Sequence, residues 1–153
     1  MSFSEEQVIE VLAQVFASED PRIILGIGDD AAVLNSGGKL TVTTTELLIE
    51  GVHFDLSYTP LLHLGFKIVS VALSDLAAMN AIPAQIVLGL GLSNRFSVEA
   101  VEELYRGVKN ACDEYQIDLV GGDTTASPQG LIVSVSAVGV VDSTQLVKRS
   151  GAK

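Results

Sequence analysis

Cysteine and tryptophan are nearly missing from this sequence of 153 residues, which has one cysteine and no tryptophan. Because a disulfide needs two cysteines, Cys112 cannot form one within the chain. No second thiolate is available for a zinc site built on cysteine. We interpret Cys112 as a small residue of the core.

Positive charge is also scarce, since 9 lysine and arginine residues stand against 19 aspartate and glutamate residues, for a formal net charge of −10. Such a chain offers no basic surface to a polyanion, so we expect it to bind neither nucleic acid nor an anionic membrane. A cationic partner fits better, although solubility alone also explains an acidic composition.

Long hydrophobic runs are absent as well. No apolar stretch reaches the roughly 18 residues of a membrane span, and the N-terminal MSFSEEQVIEVL has no basic region before an apolar segment. We therefore expect a soluble, cytoplasmic protein without a signal peptide. The hydrophobic content of 48% is ample for one compact domain.

Apolar spacings of three and four predict helices at residues 4–17, 60–80 and 97–115, the first of them a packing element. Alternating or β-branched segments predict strands in IILGIGDDAAVL and, past a Gly37-Gly38 turn, KLTVTTTELLIEG, then in AQIVLGLGL, DLVGGDTTASPQG and LIVSVSAVGVV. We expect DLVGGDTTASPQG to start as a short strand and break into a glycine-rich loop. Because strict βαβ alternation is missing, we predict an α+β fold with a mixed or antiparallel sheet and helices packed on one face.

Three short acidic motifs lie beside glycine, small residues or turns. They are Gly28-Asp29-Asp30-Ala31, Ser74-Asp75-Leu76-Ala77-Ala78 and Gly121-Gly122-Asp123-Thr124-Thr125. Small neighbours let a ligand approach the backbone closely. Taken alone, the first and third motifs are equally compatible with a solvated turn or loop.

Asp75 is the most informative of these carboxylates. It lies at helical spacing from Ile68, Val71, Ala72 and Met79 and therefore falls on an apolar helix face. Burying an unpaired carboxylate costs on the order of several kcal/mol, so a cation or hydrogen-bond donors must compensate it. A metal ion would compensate the buried carboxylate. Hydrogen-bond donors would do the same if Asp75 capped another element or accepted from an arginine.

Carboxylates bind phosphates only through a cation, because both groups are anionic. Mg²⁺, with its oxygen ligands and retained waters, is the usual bridge in phosphoryl transfer. Aspartates beside glycine-rich segments, without a Cys/His ligand set, therefore indicate magnesium–nucleotide chemistry and not zinc. No GxxxxGK[ST] motif occurs, so the chain is not a P-loop protein.

Several segments, in order and spacing, resemble thiamine-monophosphate kinases over essentially the whole chain. They are GIGDDAAVL, TVTTTELLIEGVHF, FKIVSVALSDLAAMNAIP, LVGGDTT and VKRSGAK. The wider superfamily includes aminoimidazole ribonucleotide synthase, selenophosphate synthetase and a hydrogenase-maturation protein. The Gly51-Val52-His53-Phe54 and SDLAAM motifs are most similar to the thiamine branch.

The resemblance implies ATP-dependent phosphorylation of thiamine monophosphate to thiamine diphosphate, by in-line transfer with Mg²⁺ and without a covalent intermediate or a catalytic side chain. The implied metal-site residues are Asp30, Thr44, Thr45, Glu46, Asp75 and Asp123. The implied nucleotide contacts are Tyr105, Gly122, Asp123 and Arg149. His53 is the implied substrate contact, and Asp29 is a further candidate.

The residues themselves leave alternatives open for some of these roles. Without the resemblance, a lone loop histidine such as His53 is more often simply exposed, and Tyr105 also fits a ring packed on the apolar stripe of its helix. Arg149 suits phosphate, because its planar fork makes bidentate charge-assisted bonds.

Glu46 departs from the family, which usually has aspartate at this position. The extra methylene moves a ligand by roughly 1 Å, enough to disturb octahedral Mg²⁺. We therefore expect Glu46→Asp to tighten magnesium–nucleotide binding.

The resemblance also implies that residues 1–153 form an N-terminal ATP- and magnesium-binding, dimerising domain whose C-terminal partner domain is absent. It implies a homodimer joined through the sheets, for which the apolar strands 84–92 and 131–141 are suited. Two alternatives remain: a non-catalytic nucleotide-binding or dimerisation module, and another ATP-using enzyme of the same superfamily.

Overall fold

The structure, a computed structural model, describes residues 4–16 and 20–151. The helices are α1 (Glu5–Val15), α2 (Leu61–Ala78) and α3 (Val98–Tyr115), with a 3₁₀ turn at Arg149–Gly151. The strands are β1 (Ile23–Leu25), β2 (Ala32–Ser36), β3 (Lys39–Ile49), β4 (Ile82–Leu92), β5 (Asp118–Ala126) and β6 (Leu131–Val141). They form one sheet in the order β1-β2-β3-β6-β4-β5, in which only β4 and β5 run parallel. The predicted α+β class with a mixed sheet is confirmed.

The core lies between the two long helices and one face of the sheet. Alternation along β6 buries Leu131, Val133, Val135 and Ala137 on that face. The apolar side of α2 packs on β3, β6 and β4, and α3 packs on α2. Cys112 is buried as predicted, and its burial raises the pKa of the thiol.

Two glycines bring α2 and α3 into backbone contact. A Cβ on Gly65 would lie 2.1 Å from the carbonyl oxygen of Leu104, and one on Gly107 would lie 2.0 Å from that of Leu62. Only glycine allows this approach, so any larger residue at either position would push the two helices apart.

By length and apolar composition α2 is a candidate membrane span. Seven of its residues are nevertheless buried within the core. It packs on α3 and on β3, β6 and β4, and core helices can have the same length and apolar composition as a membrane span.

The first helix differs from its prediction. Ser4 and Gln7 form a capping box that starts α1 as expected. None of its residues is buried, however, and Val11 and Val15 are 58% and 67% exposed. The prediction of a packing element is wrong for the described residues, because α1 lies over a cavity and not on the core. Residue 17 lies outside the described residues.

Two strand predictions also need correction. The segment expected to be one strand is divided by the Gly28-Asp29-Asp30 turn into β1 and β2, while the Gly37-Gly38 hairpin is confirmed. The expected break in the glycine-rich segment does not occur, since β5 continues through Gly122 to Ala126. The reason is pairing, because β4 hydrogen-bonds β5 from Asp118 to Ala126.

Candidate functional site

A cavity of about 800 Å³ opens at the end of the sheet formed by β1, β2 and β3. The charged side chains that line it are Glu5, Glu6, Glu10, Asp29, Asp30, Glu46, Asp75 and Arg149. Seven of these eight are carboxylates. This imbalance makes the cavity, which we call the acidic cavity, suited to a multivalent cation.

Asp75 and Thr44 meet at the floor of the acidic cavity. Thr44 points from β3 toward α2, and its Oγ1 donates to Asp75 Oδ2 at 2.7 Å. Asp75 is half-buried. The helical spacing that placed Asp75 on an apolar face therefore predicted its position, and a threonine hydroxyl is one of its donors.

Glu46 lies two residues beyond Thr44 and so on the same face of β3. Burial, followed by the charge of Asp75 and a hydrogen bond to it, raises the pKa of the Glu46 carboxyl. Nearby His53 opposes this increase, and Glu5 of α1 adds to it. Two carboxyls are thus held side by side with too little positive charge between them.

The Asp29-Asp30 turn is tied to the other end of the described chain. The Arg149 guanidinium lies 2.5 Å from Asp30 Oδ1, and the Arg149 N–H donates to the two Asp29 carboxylate oxygens at 3.2 and 3.3 Å. Gly28, with a φ of 121°, makes the turn possible. Residues 120 positions apart thus meet at the acidic cavity.

Thr45 is placed differently from Thr44. Its side chain lies on the opposite face of the sheet, where it donates to Val135 O at 3.4 Å and accepts from Ser136 Oγ at 3.1 Å. Thr45 also borders the acidic cavity, but its hydroxyl is hydrogen-bonded on the opposite face. The two threonines of the predicted metal site are therefore separated by the sheet itself.

Tyr105, Gly122 and Asp123 form a second group at the β5 edge. A cavity of about 530 Å³ lies between Tyr105 and the Leu119–Thr124 stretch of β5. Burial raises the pKa of the Tyr105 phenol. Gly122 and Glu46 lie at the same level of the sheet, but the strands β6 and β4 lie between them. Three strand spacings amount to about 14 Å, so one chain does not bring the two groups together.

His53 lies in the turn that follows β3 and is exposed. Its Nδ1 accepts from the Ile49 N–H at 3.0 Å, and its carbonyl oxygen accepts from Lys67 Nζ at 2.7 Å. The residue is therefore held by two elements of the fold.

Magnesium fits the donors of the acidic cavity, although they do not form a complete cage. Among residues 4–16 and 20–151 no three histidine, cysteine or acidic side chains are close enough to hold a metal ion. Mg²⁺ needs no such cage, because it commonly binds through one or two carboxylates together with phosphate oxygens and waters. The negative charges of Glu46 and Asp75 repel each other, which favours the binding of a cation, together with a phosphate ligand, in the acidic cavity.

Two contributions escaped prediction from the sequence. The carboxylates of α1 border the acidic cavity, and the spacing of Glu6 and Glu10 on one helix face could have indicated a shared direction. Lys67 binds the His53 carbonyl, and the signal that could have indicated it was a single lysine in the mostly apolar α2.

Comparison with known proteins identifies the family. Residues 28–141 match the family described as AIR synthase related protein, N-terminal domain. The chain belongs to this family. It is 35% identical to the thiamine-monophosphate kinase of Synechococcus elongatus over 149 residues, which are 97% of this chain and 44% of that protein. It therefore spans less than half the length of this relative.

Solved structures give the same likeness. The structure of AaThiL complexed with AMPPCP and TMP superposes with a TM-score of 0.86 at 34% identity, over 97% of this chain and 45% of that one. The HypE–HypF complex superposes with a TM-score of 0.72 at 24% identity, over 95% of this chain and 46% of that one. At that identity the second likeness concerns the fold alone.

Proposed function

We propose that this chain is the N-terminal half of a cytoplasmic, ATP-dependent thiamine-monophosphate kinase. In this reaction the γ-phosphoryl group of ATP passes to the phosphate of thiamine monophosphate, giving ADP and thiamine diphosphate. One observation carries the proposal: Asp30, Thr44 and Asp75 converge with Arg149 on the acidic cavity. The AMPPCP and TMP held by the similar solved structure support the same ligands here.

In the proposed site, Asp30, Glu46 and Asp75 would supply oxygen ligands to several Mg²⁺ ions, one or two carboxylates to each, with Thr44 orienting the Asp75 carboxylate through its hydrogen bond. The bound Mg²⁺ would neutralise charge on the phosphates. Arg149 would exchange its bond to Asp30 for one to a phosphate, since its planar fork suits either partner. No protein nucleophile is needed, because both reacting groups are phosphates.

Tyr105, Gly122 and Asp123 would bind nucleotide in a homodimer. A second copy joined through the sheet would present its β5 edge to the acidic cavity of the first, which would explain why the two groups lie apart in one chain. Exposed apolar residues on the open face of the sheet support this arrangement, since Leu47 and Val87 are 53% and 43% exposed. Asp123 would then complete the metal site from the partner subunit.

Calorimetric titration with AMP-PNP tests the binding function. We expect binding in the presence of Mg²⁺ and little without it. Magnesium-independent binding would remove the role of the aspartates, and absence of binding at millimolar ligand would contradict a competent half-site.

Light scattering and subunit mixing test the shared site. We expect a dimer mass, and we expect neither the Asp75→Asn nor the Asp123→Asn homodimer to bind AMP-PNP tightly. A mixture of the two variants should recover binding, because one site of the mixed dimer has both aspartates intact. A monomer mass, or no recovery in the mixture, would contradict the dimer.

A non-catalytic nucleotide-binding or dimerisation module is the second candidate, and Glu46 favours it because the acid pair with Asp75 is crowded. Joining this chain to the remaining half of a relative would discriminate the two candidates. The kinase would convert thiamine monophosphate, whereas a module would bind AMP-PNP without turnover.

For another enzyme of the superfamily the likeness extends only to the fold. The Gly51-Val52-His53-Phe54 motif favours the thiamine branch, which a screen of phosphate acceptors would test.

A further inference from the structure

The turn after β3 is held in one conformation by its own backbone. The Gly51 N–H donates to Phe54 O at 2.8 Å, and the His53 N–H donates to Ile49 O at 2.9 Å. Gly51 has a φ of 78°, which favours glycine, and Phe54 is buried in the core. The turn is thus anchored to β3 on one side and to the core on the other.

Within this turn one hydrogen bond orients the His53 ring. The Ile49 N–H donates to His53 Nδ1 at 3.0 Å. A backbone N–H can only donate, so Nδ1 carries no proton in this arrangement and the ring proton is on Nε2. The exposed ring therefore offers a ligand a hydrogen-bond donor in a defined direction.

A cation from α2 holds the main chain of the same residue. Lys67 Nζ donates to His53 O at 2.7 Å. The neighbouring Ile68 is fully buried, so the helix that carries Lys67 is firmly fixed at this position. The ammonium group therefore links the turn to the central helix of the domain.

The direction of His53 matters because the turn follows β3, and Thr44 and Glu46 of that strand line the acidic cavity. The Ile49 N–H that orients the ring belongs to the same strand, three residues beyond Glu46. In the proposed function a phosphate of the substrate binds at this cavity, so an Nε2–H donor in the turn would have an acceptor oxygen to bind.

We propose that Lys67 is a positioning residue that, through the main-chain carbonyl of His53, fixes the turn so that the His53 Nε2–H donates to a phosphate oxygen of the substrate. The proposal rests on the proposed function and on the substrate contact that the resemblance implies for His53. Lys67 acts through His53 and does not itself touch the reacting atoms. His53 serves as a neutral donor and not as a general base.

The first test needs no substrate. Nitrogen-15 NMR of the imidazole in the unliganded chain should show His53 as the Nε2–H tautomer. Lys67→Met should convert this to a mixture of tautomers, and Lys67→Arg should largely restore the single tautomer. Lys39→Met is the matched control, because Lys39 lies at the opposite end of β3, about 33 Å away by strand length.

The second test measures affinity by calorimetry for thiamine monophosphate and for thiamine, which lacks the phosphate. Lys67→Met should weaken binding of thiamine monophosphate roughly five- to tenfold, the value of one hydrogen bond. It should leave thiamine and magnesium-dependent AMP-PNP binding unchanged. In a His53→Ala background the effect of Lys67→Met should disappear.

The outcomes separate this proposal from the proposed function. The positioning role would be overturned if Lys67→Met left the tautomer unchanged. It would also be overturned if Lys67→Met lowered the affinity for thiamine monophosphate equally in the His53→Ala background. If Lys67→Met weakened the binding of thiamine as much as that of thiamine monophosphate, the substrate phosphate would not be the acceptor. If the unmodified chain binds no thiamine monophosphate but the tautomer changes as expected, the proposed function fails while the structural link between Lys67 and His53 stands.

Discussion

The two ends of the sheet are built in opposite ways. At the acidic end, Thr44 and Asp75 are hydrogen-bonded to each other and rest on the buried core face of β3 and on α2. At the other end, every residue of β5 is exposed, and among the described strands it pairs with β4 alone. The candidate side chains at the first end are held by several elements of the fold, whereas the position of those at the second depends on the pairing of β5 with β4.

This difference decides which of the predicted residues lie together within one chain. The acidic cavity gathers residues from β3, α2, the Asp29-Asp30 turn and the segment at Arg149 within one chain. The β5 group of Tyr105, Gly122 and Asp123 lies about three strand spacings away. The acidic end can therefore be tested in a single chain, and the β5 edge requires tests of pairing.

The largest effect is expected at the β5 edge from Gly122→Ala. A Cβ there would lie 1.9 Å from Leu88 O, so the two strands must separate. We expect a loss of about 3 kcal/mol in the free energy of unfolding, measured in urea, as for severe overpacking. Gly121→Ala is the matched control, because nothing lies within 4 Å of its added Cβ. Equal stability of the two variants would show that the β4–β5 pairing does not constrain the edge.

At the acidic end, Asp75→Asn should abolish most magnesium-dependent AMP-PNP binding. Removing a direct ligand should cost no less than the roughly 10–100-fold lost when an outer partner is removed. Calorimetry measures the affinity, and a melting curve confirms folding. Retained binding would exclude Asp75 from the metal site.

Thr44→Val and Thr45→Val separate the two faces of β3. Thr44→Val deprives Asp75 of its donor, so we expect a decrease of about tenfold in magnesium–nucleotide affinity. Thr45→Val changes only the opposite face, where its partners are Val135 and Ser136, and should leave affinity within about twofold. The reverse order of effects would mean that the metal binds through Thr45.

A smaller effect is expected from Arg149→Met. Because the guanidinium pairs with Asp30, its removal should raise affinity for Mg²⁺ alone by about threefold and lower affinity for AMP-PNP in the presence of Mg²⁺. Titrating each ligand separately shows both changes. Arg22→Met, which breaks an exposed pair with Asp20, is the control. A decrease in both affinities would contradict the exchange of partners.

The smallest effect concerns pH. The raised pKa of Glu46 means that its stabilising contribution is present below the unfolded pKa near 4.3 and is lost as pH rises through the folded pKa. Glu46→Gln should therefore raise the melting temperature at pH 7 by about 2 °C and should leave it unchanged at pH 4. Glu102→Gln, on the exposed face of α3, is the control. An equal shift at both pH values would mean that ionisation of Glu46 is not the cause.

Much of this arrangement follows from local patterns. The spacing around Asp75 predicted a carboxylate on the buried side of a helix, and alternation predicted the packed face of β4. The break expected in β5 was wrong, because glycines favour loops locally while pairing with β4 extends the strand. The bond between Arg149 and Asp30 joins residues 119 positions apart and has no local signal.

The sequence by itself determined the helices, most strands and the acidic motifs, because periodicity and side-chain chemistry act over a few residues. The tertiary structure alone decided which of Thr44 and Thr45 meets Asp75, that Lys67 holds His53, and that Gly122 lies across the sheet from Glu46. Strand register, sheet order and helix packing set these distances. They depend on contacts between residues far apart in the chain, where a shift of one residue moves a side chain to the other face.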